Sequence, residues 1–210
     1  MVLINTEQLE EVVHDQQKTF QNKDAGVSRD IDIKKFLKTK QITVISGVRR
    51  SGKSTLLLQF AKHFDRYYYI NFEDDRLVNF RVEDFAKLML VFKKMFLAKT
   101  IFMDEVQNVP GWERFTRRLY EEGYKIFVTG SNAKLLSSEL ATHLTARYFK
   151  IELYPFSFTE FLKFKNISIE SSGSDGRAKI LKNFDWYLEN GGFPEMVKYN
   201  DLEFLKRTYE

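Results

Sequence analysis

The sequence predicts an α/β fold in which a parallel sheet is covered by helices on both faces. Three observations predict it. From residue 41 onward, short apolar runs alternate with longer helical patterns, as right-handed strand–helix–strand crossovers require. The first run, ITVIS at 42–46, is β-branched and almost wholly apolar, as a strand buried on both sides should be. With 10 Gly and 3 Pro in 210 residues, turns are few and elements long, which excludes a sandwich or barrel of many short strands.

Each element can be justified in order. Residues 6–21 read as a helix that Thr6 can cap, with Leu9, Val12, Val13 and Phe20 as its apolar stripe. Residues 23–26 read as a loop. After the strand at 42–46 comes a helix over 53–64, with Leu56, Leu57, Phe60 and Phe64 on its apolar side. Further strands are expected at 67–72, 100–103, 125–129 and 148–153, separated by helices around 83–98, 112–122 and 132–140. The run 171–176 is the one Gly/Ser-rich linker, and it precedes a last helical portion, 177–210.

Composition narrows the function classes. Hydrophobic residues at 43% and charged residues at 30% exclude a disordered tail. The most apolar helical stretch, Lys87 to Ala98, is broken by Lys93 and Lys94 and cannot span a bilayer, so no membrane partner is expected. The N-terminus turns acidic before any apolar stretch develops, unlike a secretory signal. Cysteine is absent, which removes disulfide and thiolate chemistry and is compatible with a cytoplasmic location. A net charge of +4, from 33 basic and 29 acidic residues, permits nucleic-acid binding without arguing for it.

The chemistry is concentrated at strand ends. Gly47-Val48-Arg49-Arg50-Ser51-Gly52-Lys53-Ser54-Thr55 fits G-x-x-x-x-G-K-[ST] between a buried strand and a helix. Its glycines let the backbone wrap so that N–H groups face phosphate oxygens, and the helix N-terminus adds to the attraction. Lys53 would neutralise β/γ-phosphates and Ser54 would hold Mg²⁺. The strand at 100–103 ends in Asp104 and Glu105. Asp104 would hold the metal shell, and strand alternation would turn Glu105 toward a water aimed at the γ-phosphate. The bland alternative is that one acid caps the helix beginning near Gly111. Beyond the next strand, Ser131 and Asn132 could bond the attacking water or the γ-phosphate, or serve as N-caps for the following helix.

Taken in order, GVRRSGKSTLL, TIFMDEVQNVPGWERF, TGSNAKLLSSELATHLTARY, LYPFSFTEFL and GGFPE resemble the archaeal and bacterial AAA-type ATPases of the "archaeal ATPase" superfamily. These belong with the additional-strand P-loop NTPases, near the origin-recognition and STAND branches. The resemblance spans roughly residues 26 to 210. It implies a P-loop NTPase three-layer sandwich with a five-stranded parallel sheet of order 5-1-4-3-2 and a small helical lid. It implies ATP/ADP and Mg²⁺ as cofactors, and no N-K-x-D-type guanine reader follows the core strands. It places Arg147 where relatives carry an arginine that reaches a γ-phosphate, often a neighbouring subunit's, which would make the protein a homo-oligomer. Ala146 stands where the family has Gly, and Arg147 pairing with a surface acid is the competing reading. Pro194, with Phe193, falls on a lid element that meets the base or ribose; a plain helix stop would also explain Gly191-Gly192-Phe193-Pro194.

The resulting layout is an N-terminal helical extension (1–25), an ATPase core (26–170) and a helical lid (171–210). Because the family continues well past residue 210, the chain is expected to be the ATPase part of a longer protein. The expected function is Mg-dependent ATP hydrolysis coupled to movement of a partner or of a C-terminal region. A slow-turnover nucleotide switch and a DNA-binding remodeller are the alternatives.

Other features read as bland. Arg114, Arg117 and Arg118 share a helix face, but Glu121 and Glu122 are placed to pair with them. Lys34, Lys35, Lys38 and Lys40 look like a solvated face, and the aromatic residues look like core filling. Glu73 to Arg76 carries no role assignable from charge alone.

Overall fold

The computed structural model describes residues 4–131, 144, 147–169 and 173–200. Its sheet consists of β1 (Ile42–Gly47), β2 (Tyr68–Asn71), β3 (Thr100–Asp104), β4 (Lys125–Ser131) and β5 (Tyr148–Leu153), all parallel, in the order β2-β3-β4-β1-β5. Read from the other edge, this is the expected 5-1-4-3-2. The described helices are α1 (Thr6–Asn22), α2 (Ile33–Lys38), α3 (Lys53–Ala61), α4 (Phe85–Met95), α5 (Trp112–Glu121), α6 (Phe158–Phe164), α7 (Ser174–Asn190) and α8 (Pro194–Tyr199). The expected helix 132–140 and the end of the expected 177–210 portion lie outside the described residues.

Period-two alternation assigns each strand residue to a face. Ile42, Val44, Tyr68, Ile70, Ile101, Met103, Ile126 and Val128 pack against α4 and α5 and against Leu9, Val12 and Val13 of α1. Ile45, Tyr69, Phe102, Phe127 and Ile151 point to the other face, against Leu56, Leu57 and Phe60 of α3, with Phe36 of α2 alongside. Phe102 and Phe127 stack across neighbouring strands with centroids 4.7 Å apart. The aromatic content is thus largely core, as expected.

Several boundaries differ from the sequence reading. The side chain of Asn5, not Thr6, caps α1 by accepting from the Glu7 N–H at 3.3 Å. The helix expected over 83–98 is a short 3-10 turn, Val82–Asp84, followed by α4, which stops at Met95. There the Tyr68 hydroxyl donates to the Phe96 carbonyl at 2.8 Å and accepts from the Ala98 N–H at 3.0 Å, drawing the chain out of the helix. Helix α2 was not anticipated; its lysines 34, 35 and 38, with Lys40 beyond it, are exposed as expected.

The first helix is no appendage. It lies along the β2 edge, contributing Leu9, Val12 and Val13 to one face of the core and Phe20 to the other. Its glutamines complete that edge. Gln17 Oε1 accepts from the Tyr69 N–H at 2.9 Å and Gln16 Oε1 from the Asn71 N–H at 2.7 Å. Gln16 Nε2 donates to the Asn71 carbonyl (3.1 Å) and to Asp74 Oδ2 (2.9 Å). Asp74 also takes two bonds from the Arg76 guanidinium, which reaches Asp15 of α1 at 3.0 Å. Asp74 and Arg76, left without a role by charge alone, therefore fasten α1 to the sheet, whereas Glu73 pairs with Arg49 of the loop at 3.4 Å.

A separate cluster of buried residues lies beyond β5. Phe156, Phe161 and Leu162 form a separate small core with Val197, against which Trp186 and Tyr187 of α7 pack. Phe161 and Trp186 stack at 5.3 Å. Aromatic packing thus joins α6 to α7 and α8 across the boundary expected at 171. No helix among the described residues is long and apolar enough to cross a membrane.

Two outcomes follow from the α1 seam. Gln17→Ala leaves the buried Tyr69 N–H without an acceptor and should cost about 1–3 kcal/mol. Thermal denaturation would read this as a fall of roughly 2–4 °C per kcal/mol. The Arg76 bonds, with help from Gln16 and against partial burial, hold the Asp74 carboxyl well below the usual carboxylate range. Its stabilising share is present above the ordinary carboxylate pKa and lost as pH falls toward the depressed folded value. Denaturant titrations at pH 6 and pH 3 should therefore show a smaller acid-induced loss in Asp74→Asn than in wild type.

Candidate nucleotide-binding site

The described functional candidates at the ends of β1, β3 and β4 meet at the carboxyl end of the sheet, where open α/β folds place ligands. Between β1 and α3 the loop turns through Arg50 (φ 65°) and Gly52 (φ 94°), both left-handed. Gly52 is the N-cap of α3, so no side chain intervenes between the first amides of the helix and a ligand. A cavity of about 540 Å³ opens above the loop. Arg49, Arg50, Gly52, Lys53, Ser54 and Thr55 line it from the loop; Glu105 lines it from just past β3, Ser131 from the end of β4 and Pro194 from α8.

Lys53 is 5% exposed and extends along the loop, its Nζ 3.3 Å from the Val48 carbonyl and 3.6 Å from Glu105 Oε1. Asp104, 2% exposed, accepts from the Ser54 hydroxyl and through Oδ1 from the Thr129 hydroxyl. Burial pushes the Asp104 carboxyl up; the bonds from Thr129 and Ser54 pull the other way. Glu105's charge adds to the rise and that of Lys53 opposes it. The Tyr69 hydroxyl, held protonated by burial beside Asp104, lies 3.4 Å from Asp104 Oδ2 and stacks on Phe20 of α1 at 3.7 Å.

Glu105 reaches the cavity by a route that strand alternation does not describe. Strand β3 ends at Asp104, and Glu105 adopts a left-handed backbone (φ 51°, ψ 46°). Its N–H is taken by Thr129 Oγ1 at 3.0 Å, and Gln107 Nε2 donates to its Oε2. A non-glycine residue in this conformation is held against a steric cost. Neither acid caps the next helix, since the N-cap of α5 is Gly111.

Thr129 is the residue that sequence reasoning passed over. Fully buried, it donates to one acid and accepts from the amide of the other, locking the pair together. Its signal was a hydroxyl one turn of alternation before Ser131, on the strand beside the acids. Ser131 does line the cavity, and Asn132 lies outside the described residues.

Pro194 is also at the cavity, its Cγ 3.9 Å from where a Cβ on Gly52 would sit. It is the first residue of α8, and Gly191 ends α7, so the helix stop and the cavity contact coexist. Glu195 pairs with Arg50 of the loop at 3.4 Å. Arg147 is elsewhere. Its carbonyl accepts from the Ile42 N–H at 2.8 Å, at the start of β1. Strand β1 separates it from the loop by roughly 17 Å, at about 3.3 Å per residue. The structure does not bring Arg147 to this chain's own cavity, because β5 runs parallel to β1 and Arg147 precedes it. The face carrying Arg117 and Arg118 is internally paired, to Glu121 at 3.1 Å and Glu122 at 3.8 Å, as anticipated.

An Mg²⁺ ion favours hard oxygen donors, few of them from protein. Ser54 and Asp104 fit that description, being mutually hydrogen-bonded beside Lys53.

A family described as an AAA domain matches residues 39–162, more than half of the chain, and the chain belongs to that family. Among curated proteins it is 43% identical to an uncharacterized protein of Methanocaldococcus jannaschii, the match covering 86% of this chain and 41% of that protein. It is 38% identical to an uncharacterized protein of Haemophilus influenzae, covering 88% and 47%. The chain thus spans less than half the length of these relatives. Among solved structures it resembles AMPPCP-bound DnaA from Aquifex aeolicus, with a TM-score of 0.52 at 19% identity, covering 85% of this chain and 62% of that one. A replication initiator DnaA bound to AMPPCP and single-stranded DNA gives the same score and identity, over 99% and 70%. These likenesses show the fold: an α/β P-loop NTPase of the AAA type.

Thr129→Val should leave the Glu105 N–H unpaired and remove a donor from buried Asp104. We expect a loss of about 1–3 kcal/mol in chemical denaturation, largely restored in Thr129→Ser. Equal stability of wild type and the valine variant would show that the hydroxyl bridge contributes nothing.

Proposed function

We propose that the chain binds an adenine nucleoside triphosphate with Mg²⁺ in this cavity and hydrolyses its terminal phosphate. The observation that carries the reading is the convergence of buried Lys53, buried Asp104 and left-handed Glu105 on one glycine-framed loop at a helix N-terminus. The loop amides from Gly47 to Thr55 would face the phosphates, and the Lys53 ammonium would neutralise the β/γ oxygens. Ser54 and Asp104 would hold Mg²⁺, which when bound supplies charge neutralisation of the phosphoryl oxygens. Glu105, fixed by Thr129 and Gln107, would orient and deprotonate the attacking water, and Ser131 would bond that water or the γ-phosphate. Pro194 would close over the ribose or base. Asn132 is assigned the same role as Ser131.

The choice of adenine rests on family membership and on the AMPPCP in the resembling structures. Hydrolysis would be coupled to movement of a partner or of the remainder of a longer protein, as the partial coverage of the relatives suggests. The position of Arg147 favours a second reading for the chain alone, a nucleotide-gated switch with slow turnover. Its arginine could serve only a neighbouring copy in a head-to-tail assembly, where stabilisation of the transferring phosphoryl group would arrive in trans. DNA as the target is a third reading, from likeness to the DNA-bound initiator, and it requires affinity that falls with salt.

Phosphate release by wild type, Lys53→Ala and Glu105→Gln tests the proposal. Lys53→Ala should lose nucleotide affinity. Glu105→Gln should bind ATP as wild type does and turn over about 10²–10⁴-fold more slowly. Equal release by all three proteins would overturn the assignment, and turnover rising with protein concentration would support the arginine in trans.

A further inference from the structure

Outside the phosphate loop, one buried charge touches it from behind. Arg29 precedes α2 and is 6% exposed at its side chain. Its Nη1 donates to the Ser51 carbonyl at 2.9 Å, and Nη2 donates to the Tyr154 carbonyl just after β5. Its Nε donates to Glu160 Oε1 at 2.9 Å. Glu160, also 6% exposed, belongs to α6 and is itself fully engaged: the Asp30 N–H (2.7 Å) and the Ser157 N–H (2.9 Å) both donate to it. The guanidinium further lies 5.1 Å from the centre of the Phe156 ring. Burying this pair is costly unless every donor and acceptor is used, and here the fork is spread over three segments of chain.

The bond to Ser51 has a geometric consequence. In a trans peptide the C=O and the following N–H point in opposite directions. Fixing the Ser51 carbonyl on Arg29 therefore fixes the Gly52 N–H on the opposite side, toward the cavity that Gly52 lines. Gly52 has a left-handed backbone and no side chain, so rotation of that peptide would otherwise meet little resistance. We propose that Arg29, seated by Glu160, is a positioning residue that orients the Ser51–Gly52 peptide so that its amide faces the phosphates. This rests on the nucleotide reading above for its ligand, but the orientation of the peptide is independent of it. Because Glu160 stands on α6, the phosphate grip is keyed to the seating of the lid.

The test uses the full chain. Arg29→Lys keeps the charge beside Glu160 but cannot also reach the Ser51 carbonyl with a planar fork. Two readouts are taken: the Gly52 amide resonance and its hydrogen exchange without nucleotide, and calorimetric affinity for Mg·ATP and for inorganic triphosphate. The proposal expects the Gly52 amide to shift and exchange faster while core strand amides stay as in wild type. Both affinities should fall about tenfold, as for one lost charge-assisted hydrogen bond. An unchanged Gly52 amide with wild-type affinity would overturn it, as would loosening spread evenly through the sheet. If wild type binds neither ligand yet the Gly52 amide moves in Arg29→Lys, the nucleotide reading falls and the positioning of the loop stands. Should Arg29→Lys fail to fold, Glu160→Gln, which keeps the size of the side chain but only one of the two oxygens that Asp30 and Ser157 use, reads the same amide with the same expectations.

Discussion

The hydroxyl of Thr129 ties the ends of two strands together, and the acid half of the site depends on it. Parallel pairing of β3 with β4 runs through Met103 and Val128 and then stops. At the next position a side chain replaces the ladder: Thr129 takes the Glu105 amide and gives its proton to Asp104. The exchange ends the strand, bends the chain into a left-handed turn and leaves two adjacent carboxylates facing different partners. On its other side β4 pairs Ile45 with Thr129 and Gly47 with Ser131, which brings the loop level with the acids. Strand register therefore does the work of bringing a lysine, a serine and two acids from distant sequence to one cavity.

A second layer of contacts approaches the same cavity from the lid. Glu195 meets Arg50 above the loop, while Glu160 holds Arg29 below it. The upper pair is partly solvated and contributes little on its own. The lower pair is dry and saturated, so it specifies geometry more than it adds stability. Gly192 completes the joint: its carbonyl accepts from the Phe156 N–H at 2.7 Å, and a side chain there would collide with the Phe156 backbone. The turn between α7 and α8 is consequently tied through backbone to the segment that leads from β5 into α6.

Much of this was legible in the sequence. The strand order followed from the family resemblance, and the placement of Lys53, Ser54, Asp104 and Glu105 at one end followed from motifs that sit at strand ends. What was not legible shares one physical trait, dependence on partners remote in sequence. Thr129 matters only through the register of β3 and β4. Arg29 and Glu160 are 131 positions apart; Glu160 shows locally only as the N3 residue of the Ser157–Glu160 capping box, and Arg29 belongs to no local pattern. Arg147 stands where the family has an arginine, though after Ala146 in place of Gly, and its position before β5 puts it at the opposite end of β1 from the loop. Gln16 and Gln17 looked like the polar side of an amphipathic helix, because nothing local shows that a strand edge lies against them.

Those two glutamines bear on how copies of this domain can associate. A terminal strand with free amides invites another strand to join it, and side-chain amides from α1 here occupy the row along β2. Growth of the sheet across that border is foreclosed without first lifting the helix away. Any ring or stack built from this domain must therefore use helical faces, loops or the β5 side, and its geometry is already restricted before a second subunit arrives.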